Sequence, residues 1–216
     1  MTAGEGLRER KKRETGMRIW RTALDLFTER GFDHVSVAEI AAAADVSKMT
    51  VFNYFGTKED LVTAPMMNHV GDVVRAVRER AAGESAVDAV RRQFLEMIEV
   101  RDPSIGLNDD PRSLQARQLI QNTPVLLQRA SLAFSQAQGE LAELLAAEGG
   151  DPMLAAVAAA QLTGARNALI NEHHRRILAG ESAQGVADDA AERTERAFAQ
   201  VENGLGSYPG PKRAPQ

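Results

Sequence analysis

Apolar residues recur along this chain at helical spacing, and no stretch alternates with the two-residue rhythm of a strand. Trp20, Ala23, Leu24 and Phe27 stand at i, i+3, i+4 and i+7, one stripe of a helix read over residues 14–30. Gly31 stops it, because glycine alone enters the left-handed region without a Cβ penalty. Ser36-Val37-Ala38-Glu39 has the form of a capping box and starts a second helix that reaches about residue 44. Asp45-Val46-Ser47 reads as a tight turn, a third helix covers 48–55, and Gly56 breaks it. Thr57 to Asp60 resembles a second capping box. It opens a fourth helix, expected to run to about residue 80 with a bend, or hinge, at the interior Pro65.

Five more helices are expected, over 86–101, 113–121, 124–148, 152–179 and 182–205. The turn-rich runs DPSIGLNDDP (102–111) and GGDP (149–152) separate some of them, and Pro124 takes the favoured first position of its helix. The expected fold is all-α with about nine helices. A flexible basic arm (1–13) precedes a helix-turn-helix domain (14–62). A helical ligand-binding and dimerisation domain (63–205) and a disordered tail (206–216) follow.

Composition narrows the function. Aromatic residues make up only 5% of the 216, and alanine-rich runs at 41–44 and 155–160 reinforce the helical reading. The absence of cysteine removes disulfide and thiolate chemistry and fits a reducing cytoplasm. No run approaches the ~18 consecutive apolar residues of a membrane span. The polar first twelve residues lack a signal-peptide core, so a soluble cytoplasmic protein is expected. Net charge is −4, yet residues 1–21 carry seven basic side chains against three acidic ones, a local positive patch in an acidic chain.

The second and third helices carry residue types that suit a helix-turn-helix. Ala41 and Ala44 permit a close crossing, and Val46 seals the turn. The third helix can then lie in a major groove while the second crosses the backbone. Lys48, Met49, Thr50 and Asn53 are expected on its exposed side, with Val51, Phe52 and Phe55 contributing to the buried one. Asn pairs bidentately with adenine, and Thr reaches bases or a thymine methyl. Tyr54 and Lys58 suit phosphate contacts, and Ser36 and Thr57 sit at helix N-termini that favour anions. The basic arm adds candidate backbone or minor-groove contacts.

The stretch from Arg18 to Val62 resembles the DNA-binding domain of the tetracycline-repressor (TetR) family. The resemblance rests on Ala23 to Phe27 with Glu29-Arg30-Gly31-Phe32, on Ser36-Val37 with Glu39-Ile40-Ala41, on Val46-Ser47 with Thr50, and on Tyr54-Phe55 with Lys58-Glu59. It covers about a fifth of the chain. It implies a symmetric dimer, an all-helical ligand-binding domain, and repression of a palindromic operator relieved by a small molecule. Three positions depart from the family pattern. Asp45 stands where glycine is usual, Phe52 where tyrosine is frequent, and Gly56 where proline is common. Asp tolerates the left-handed conformation better than most residues, so the turn is expected to survive.

The C-terminal helices show no catalytic pattern: no nucleophile–base set, no G-x-S-x-G, no phosphate-cradling glycine loop. An enzyme is therefore not expected, nor a cofactor. His173 and His174 are adjacent on a helix and point about 100° apart, so no metal site is expected either. Small residues at Ala156, Ala160, Gly164 and Ala168 permit close helix packing. The last helix offers Ala187, Ala190, Ala191, Thr194, Phe198, Val201 and Leu205 along one side. The family resemblance makes these last two helices the expected homodimer interface, although periodicity alone equally allows an intrachain core. Met66, Phe94, Met97, Leu126 and Phe134 are candidate apolar contacts for a small apolar or amphipathic ligand, with Met67, Ile98, Leu127 and Leu169 beside them. Arg117, Arg166, Asn167 and His173 are candidate polar anchors. A C-terminal domain controlled by a protein partner is the alternative; a filled core with an exposed apolar groove would favour it.

Overall fold

A computed structural model describes residues 6–204. Among the described residues are eleven α-helices and two single 3-10 turns, without strands. The helices are α1 (Leu7–Arg30), α2 (Val37–Ala43), α3 (Lys48–Phe55), α4 (Asp60–Val70), α5 (Asp72–Arg78), α6 (Ala86–Glu99), α7 (Pro111–Asn122), α8 (Pro124–Ala147), α9 (Pro152–Leu178), α10 (Ala183–Asp188) and α11 (Ala190–Asn203). The expected tail at 206–216, residues 1–5 of the arm and Leu205 lie outside the described residues.

The chain forms two compact units, and their boundaries are not the contiguous ones expected. The first holds residues through 69 together with 110–133, and the second holds 70–109 and 134 onward. Segment 110–133 joins the first unit because Ala116 of α7 and Leu126 of α8 are buried with Ile19, Leu24 and Phe27 of α1, Ile40 of α2, Val51 of α3 and Leu61 of α4. α7 lies along α1. Arg129 of α8 donates to the Asp60 carboxylate at the start of α4 at 2.5 Å.

Three expectations about the helices are corrected. Residues 7–13, read as part of a flexible arm, are the first two turns of α1. Their Arg, Lys and Glu residues are good helix formers, and Arg10 pairs with Glu14 one turn on at 3.7 Å. α4 continues through Pro65, and the break falls at Gly71 instead. Pro65 withholds its N–H and crowds the carbonyl four residues back, yet the helix runs on past it, whereas Gly71 leaves helical geometry (φ −83°, ψ 2°) and α5 starts anew. The expected last helix is likewise two, α10 and α11, divided at Asp189.

In the second unit α11 packs against α6 and α9, and α5 against α6. Arg91 of α6 reaches Glu195 and Glu202 of α11 and its own-helix neighbour Asp88. The expected loop after α6 holds a short 3-10 turn, Pro103–Ile105, whose Ile105 is fully buried. α9 is long and apolar enough, by length and composition alone, to cross a membrane. It owes this to its alanines, and the sequence holds no long uninterrupted apolar run.

Candidate nucleic-acid interface

The geometry around α3 begins with its caps. The Ser36 hydroxyl accepts from Glu39 N at 3.2 Å, and Glu39 accepts from Ser36 N at 2.8 Å, so the expected capping box is closed in both directions. Arg30 donates to the same Glu39 carboxylate at 2.7 Å and ties the end of α1 to the start of α2. These donors, the Ser36 amide first and then Arg30, pull the Glu39 carboxyl down to about 2. Because the folded value lies below the ordinary one, the stabilisation is complete above pH 4.5 and fades as pH falls through about 2. Glu39→Gln is thus expected to lower the melting temperature at neutral pH and to flatten its dependence on pH between 4.5 and 2. Melts followed by circular dichroism check this; an unchanged acid limb means that the box does not carry the pH dependence.

The turn between α2 and α3 closes with Val46 N donating to Ala41 O at 2.9 Å. Asp45 occupies the left-handed region at φ +51°, where its short polar side chain is tolerated. The Ser47 hydroxyl caps α3 by accepting from Thr50 N at 3.0 Å, and the Ser47 and Thr50 hydroxyls lie 2.8 Å apart. Gly56 ends α3 at φ +72°, ψ −58°, a conformation that side chains rarely adopt. A Cβ there would stand 3.2 Å from the Asp60 carboxylate, so the turn into α4 depends on glycine. Thr57 and Asp60 exchange hydrogen bonds, the Thr57 amide donating at 3.1 Å and Asp60 N donating back at 3.2 Å.

α3 thereby presents Lys48, Met49 and Asn53 to solvent, with Met49 68% exposed, while Val51 is buried beneath. Thr50 is half-buried, held by the Ser47 hydroxyl. Phe52 corrects the expectation of burial. It is 37% exposed, with the Lys48 ammonium 5.8 Å from its ring centre. At eight residues, α3 is too short to bury more than a narrow stripe, which Val51 and the half-buried Tyr54 and Phe55 fill. Tyr54 lies against α1, where a Cβ on Gly16 would come within 3.2 Å of its ring. Lys58 is half-buried, its ammonium 4.3 Å from the Phe32 ring centre and 5.8 Å from that of Phe27. Ser36 and Thr57 are exposed, each with its hydroxyl engaged in its own cap. Ser47, which sets the start of α3, went unnamed among the site residues; its place directly before a helix was the available signal.

The candidate ligand contacts divide between the units. Met66, Arg117 and Leu126 belong to the first, where Leu126 is part of the apolar core. Burial pushes the Arg117 guanidinium below its ordinary range. Phe94, Met97, Phe134, Arg166, Asn167 and His173 belong to the second. Phe94, Met97, Arg166 and His173 are buried there, and Phe134 and Asn167 are partly exposed. The last helix also needs a correction. Ala190, Thr194 and Phe198 are fully buried within the chain, because this stripe faces α6 and α9. The surface that α9 and α11 leave open is lined instead by Ala160, Gly164 and Ala168 of α9 with Arg196, Ala197 and Val201 of α11.

Two short helices joined by a sealed four-residue turn, the second with an exposed polar and cationic face, define a helix-turn-helix DNA-binding protein. Residues 19–64 match the model of the bacterial regulatory proteins of the tetR family. The regulator TcmR of Streptomyces glaucescens is 32% identical over 148 residues, which are 68% of this chain and 66% of that protein, a little under two thirds of its length. Among solved structures, NalD of Pseudomonas aeruginosa, described as the secondary repressor of a multidrug efflux pump, superposes with a TM-score of 0.55 at 18% identity. That match covers 88% of this chain and 96% of NalD. FadR of Thermus thermophilus, a repressor solved with lauroyl-CoA, gives 0.51 at 23% identity, covering 93% and 99%. The chain belongs to the TetR family of helix-turn-helix transcriptional regulators.

Proposed function

We propose that this chain is a cytoplasmic, ligand-responsive repressor that binds a palindromic operator as a homodimer and leaves it when a small apolar or amphipathic molecule binds. The observation that carries the reading is the α3 face, where Lys48, Met49 and Asn53 stand exposed on a helix whose caps and turn are fully built. In this reading Asn53 and Thr50 read base edges, and Lys48 and Tyr54 contact phosphates or neighbouring bases. Lys58 reaches phosphate from its seat on Phe32. Ser36 and Thr57 offer helix N-termini to the backbone. The basic turns at the start of α1 supply further phosphate contacts.

The dimer reading is supported by α9. Met153, Val157, Ala160, Gly164 and Ala168 are all exposed along it, an apolar and small-residue surface that a lone chain leaves in water. The repressor descriptions of NalD and FadR agree with repression as the mode of action.

A gel-shift titration at fixed salt, against DNA flanking the protein's own gene, tests the reading. Asn53→Ala is expected to weaken specific binding by about 1–3 kcal/mol while leaving non-specific binding nearly unchanged, as for a lost base contact. Lys58→Ala is expected to weaken both and to reduce the salt slope by about one. Equal losses on all DNA in both variants would remove α3 from the reading role.

A further inference from the structure

The buried face of α9 is an apolar stripe with two polar interruptions. Ala155, Ala159, Leu162, Leu169 and Ile177 alternate along it with Arg166 and His173, which are 3% and 0% exposed. Seven residues apart, the two lie on one side of the helix and roughly 10 Å apart along its axis, with Leu169 between them. Nε and Nη2 of Arg166 and Nε2 of His173 are all buried with no hydrogen-bond partner among the described residues. Such groups are rare in folded proteins, and each marks a place where a partner is owed.

The acidic neighbours of Arg166 are occupied. Asp72 Oδ2 stands 3.6 Å from Nη2, a buried ion pair without a hydrogen bond, while its Oδ1 accepts from Arg75 at 2.6 Å. Asp102 accepts from the amide and hydroxyl of Ser104 at 2.8 and 2.6 Å. Arg166 therefore keeps a planar fork of donors and a charge with no hydrogen-bonded counter-ion, the geometry that suits a carboxylate or another acidic oxygen pair.

The His173 group has the opposite demand. Its Nδ1 lies 2.8 Å from the Ile105 carbonyl, which only accepts, so Nδ1 carries the proton. Burial lowers its pKa and favours the neutral ring, leaving Nε2 as an acceptor. The Phe94 ring lies beside it, at 6.0 Å between centres.

We propose that the effector is an amphipathic hydroxy-acid. Its acidic oxygens accept from Nε and Nη2 of Arg166, its apolar body lies along Leu169, and a hydroxyl roughly two helical turns away donates to His173 Nε2. The proposal deepens the ligand-responsive reading and rests on it. Asp72 opens α5 directly after the Gly71 break that ends α4. Drawing Arg166 toward a ligand anion thus changes a contact at the start of the segment that follows the DNA-binding unit.

Calorimetric titration of the full chain with matched probes tests this. Carboxylate, alcohol and amine forms of octyl, dodecyl and naphthyl bodies are compared, each with and without a hydroxyl at the far end. Carboxylates are expected to bind roughly 10- to 100-fold tighter than the matched alcohols and amines, as for a charge-assisted fork. The distal hydroxyl is expected to add several-fold. Arg166→Met removes the preference for acids, and His173→Phe removes only the gain from the hydroxyl. The head-group ranking is read on the unsubstituted chain, so it decides the matter even where Arg166→Met fails to fold. Equal binding of the three head groups, or an acid preference that survives Arg166→Met, overturns the proposal while leaving a ligand-responsive regulator in place. Binding of none of the probes also overturns it, whereas the regulator reading stands or falls separately on the operator titration.

Discussion

Gly164→Arg is expected to yield a folded monomer that has lost at least about 100-fold in operator affinity, the gain that linking two DNA-binding heads provides. Gly164 sits mid-way along α9, exposed, and a Cβ built on it meets nothing within 4 Å. The single chain therefore has room for a side chain there, and Gly164→Ala should stabilise it by about 1 kcal/mol through helix propensity. A glycine kept at that cost on an exposed helix face suits the close approach of another backbone. Ala160 and Ala168, one turn to either side, are small and exposed as well. Arginine at this point would hold a second copy of α9 away without disturbing the chain that carries it. Sedimentation velocity and gel shift on a two-half-site operator measure the two consequences. A dimer that persists, with operator affinity within threefold of the parent, would place the interface elsewhere.

Local chemistry was the most legible part of this chain. The bounds of α3, the Ser36–Glu39 box, the Thr57–Asp60 exchange and the left-handed Asp45 each follow from residues within a few positions of one another. Their causes are caps, breakers and turn geometry, which a sequence displays directly. What was less legible involves partners distant in sequence. Periodicity shows that α11 has an apolar stripe but not that α6 and α9 cover it, so it leaves Ala190, Thr194 and Phe198 equally open to a partner chain or to the chain's own core. The same limit hid the membership of 110–133 in the first unit, since Ala116 and Leu126 look like any other core residues. Phe52 misled for a related reason, because its ring is apolar but its place on a two-turn helix leaves it beside Lys48 in solvent. Arg166 and His173 stand out as candidate polar anchors, and their seven-residue spacing already puts them on one helix face, yet their burial and the neighbour Asp72 emerge only from the fold.

Phe27→Ala is expected to cost about 3–5 kcal/mol, a large share of the 5–15 kcal/mol that holds a typical domain together. The side chain is 1% exposed and is one of the largest wholly buried in the chain. It meets the Phe32 ring at 4.9 Å between centres, and the two rings together seat the Lys58 ammonium. Truncation leaves a cavity beneath α1 and also removes part of the aromatic surface that holds Lys58 at the start of the α3–α4 corner. Under the phosphate-contact role proposed for Lys58, stability and DNA contact are coupled at this residue. Phe27→Leu separates the two effects, because it refills most of the volume without an aromatic face. Urea melts are expected to rank parent, Phe27→Leu and Phe27→Ala in falling order. Gel shifts well below either transition are expected to show both variants weakened on all DNA, with the parent's sequence preference retained. Undiminished binding by folded Phe27→Ala would mean that Lys58 needs no aromatic seat to reach the backbone, or that it does not reach it at all.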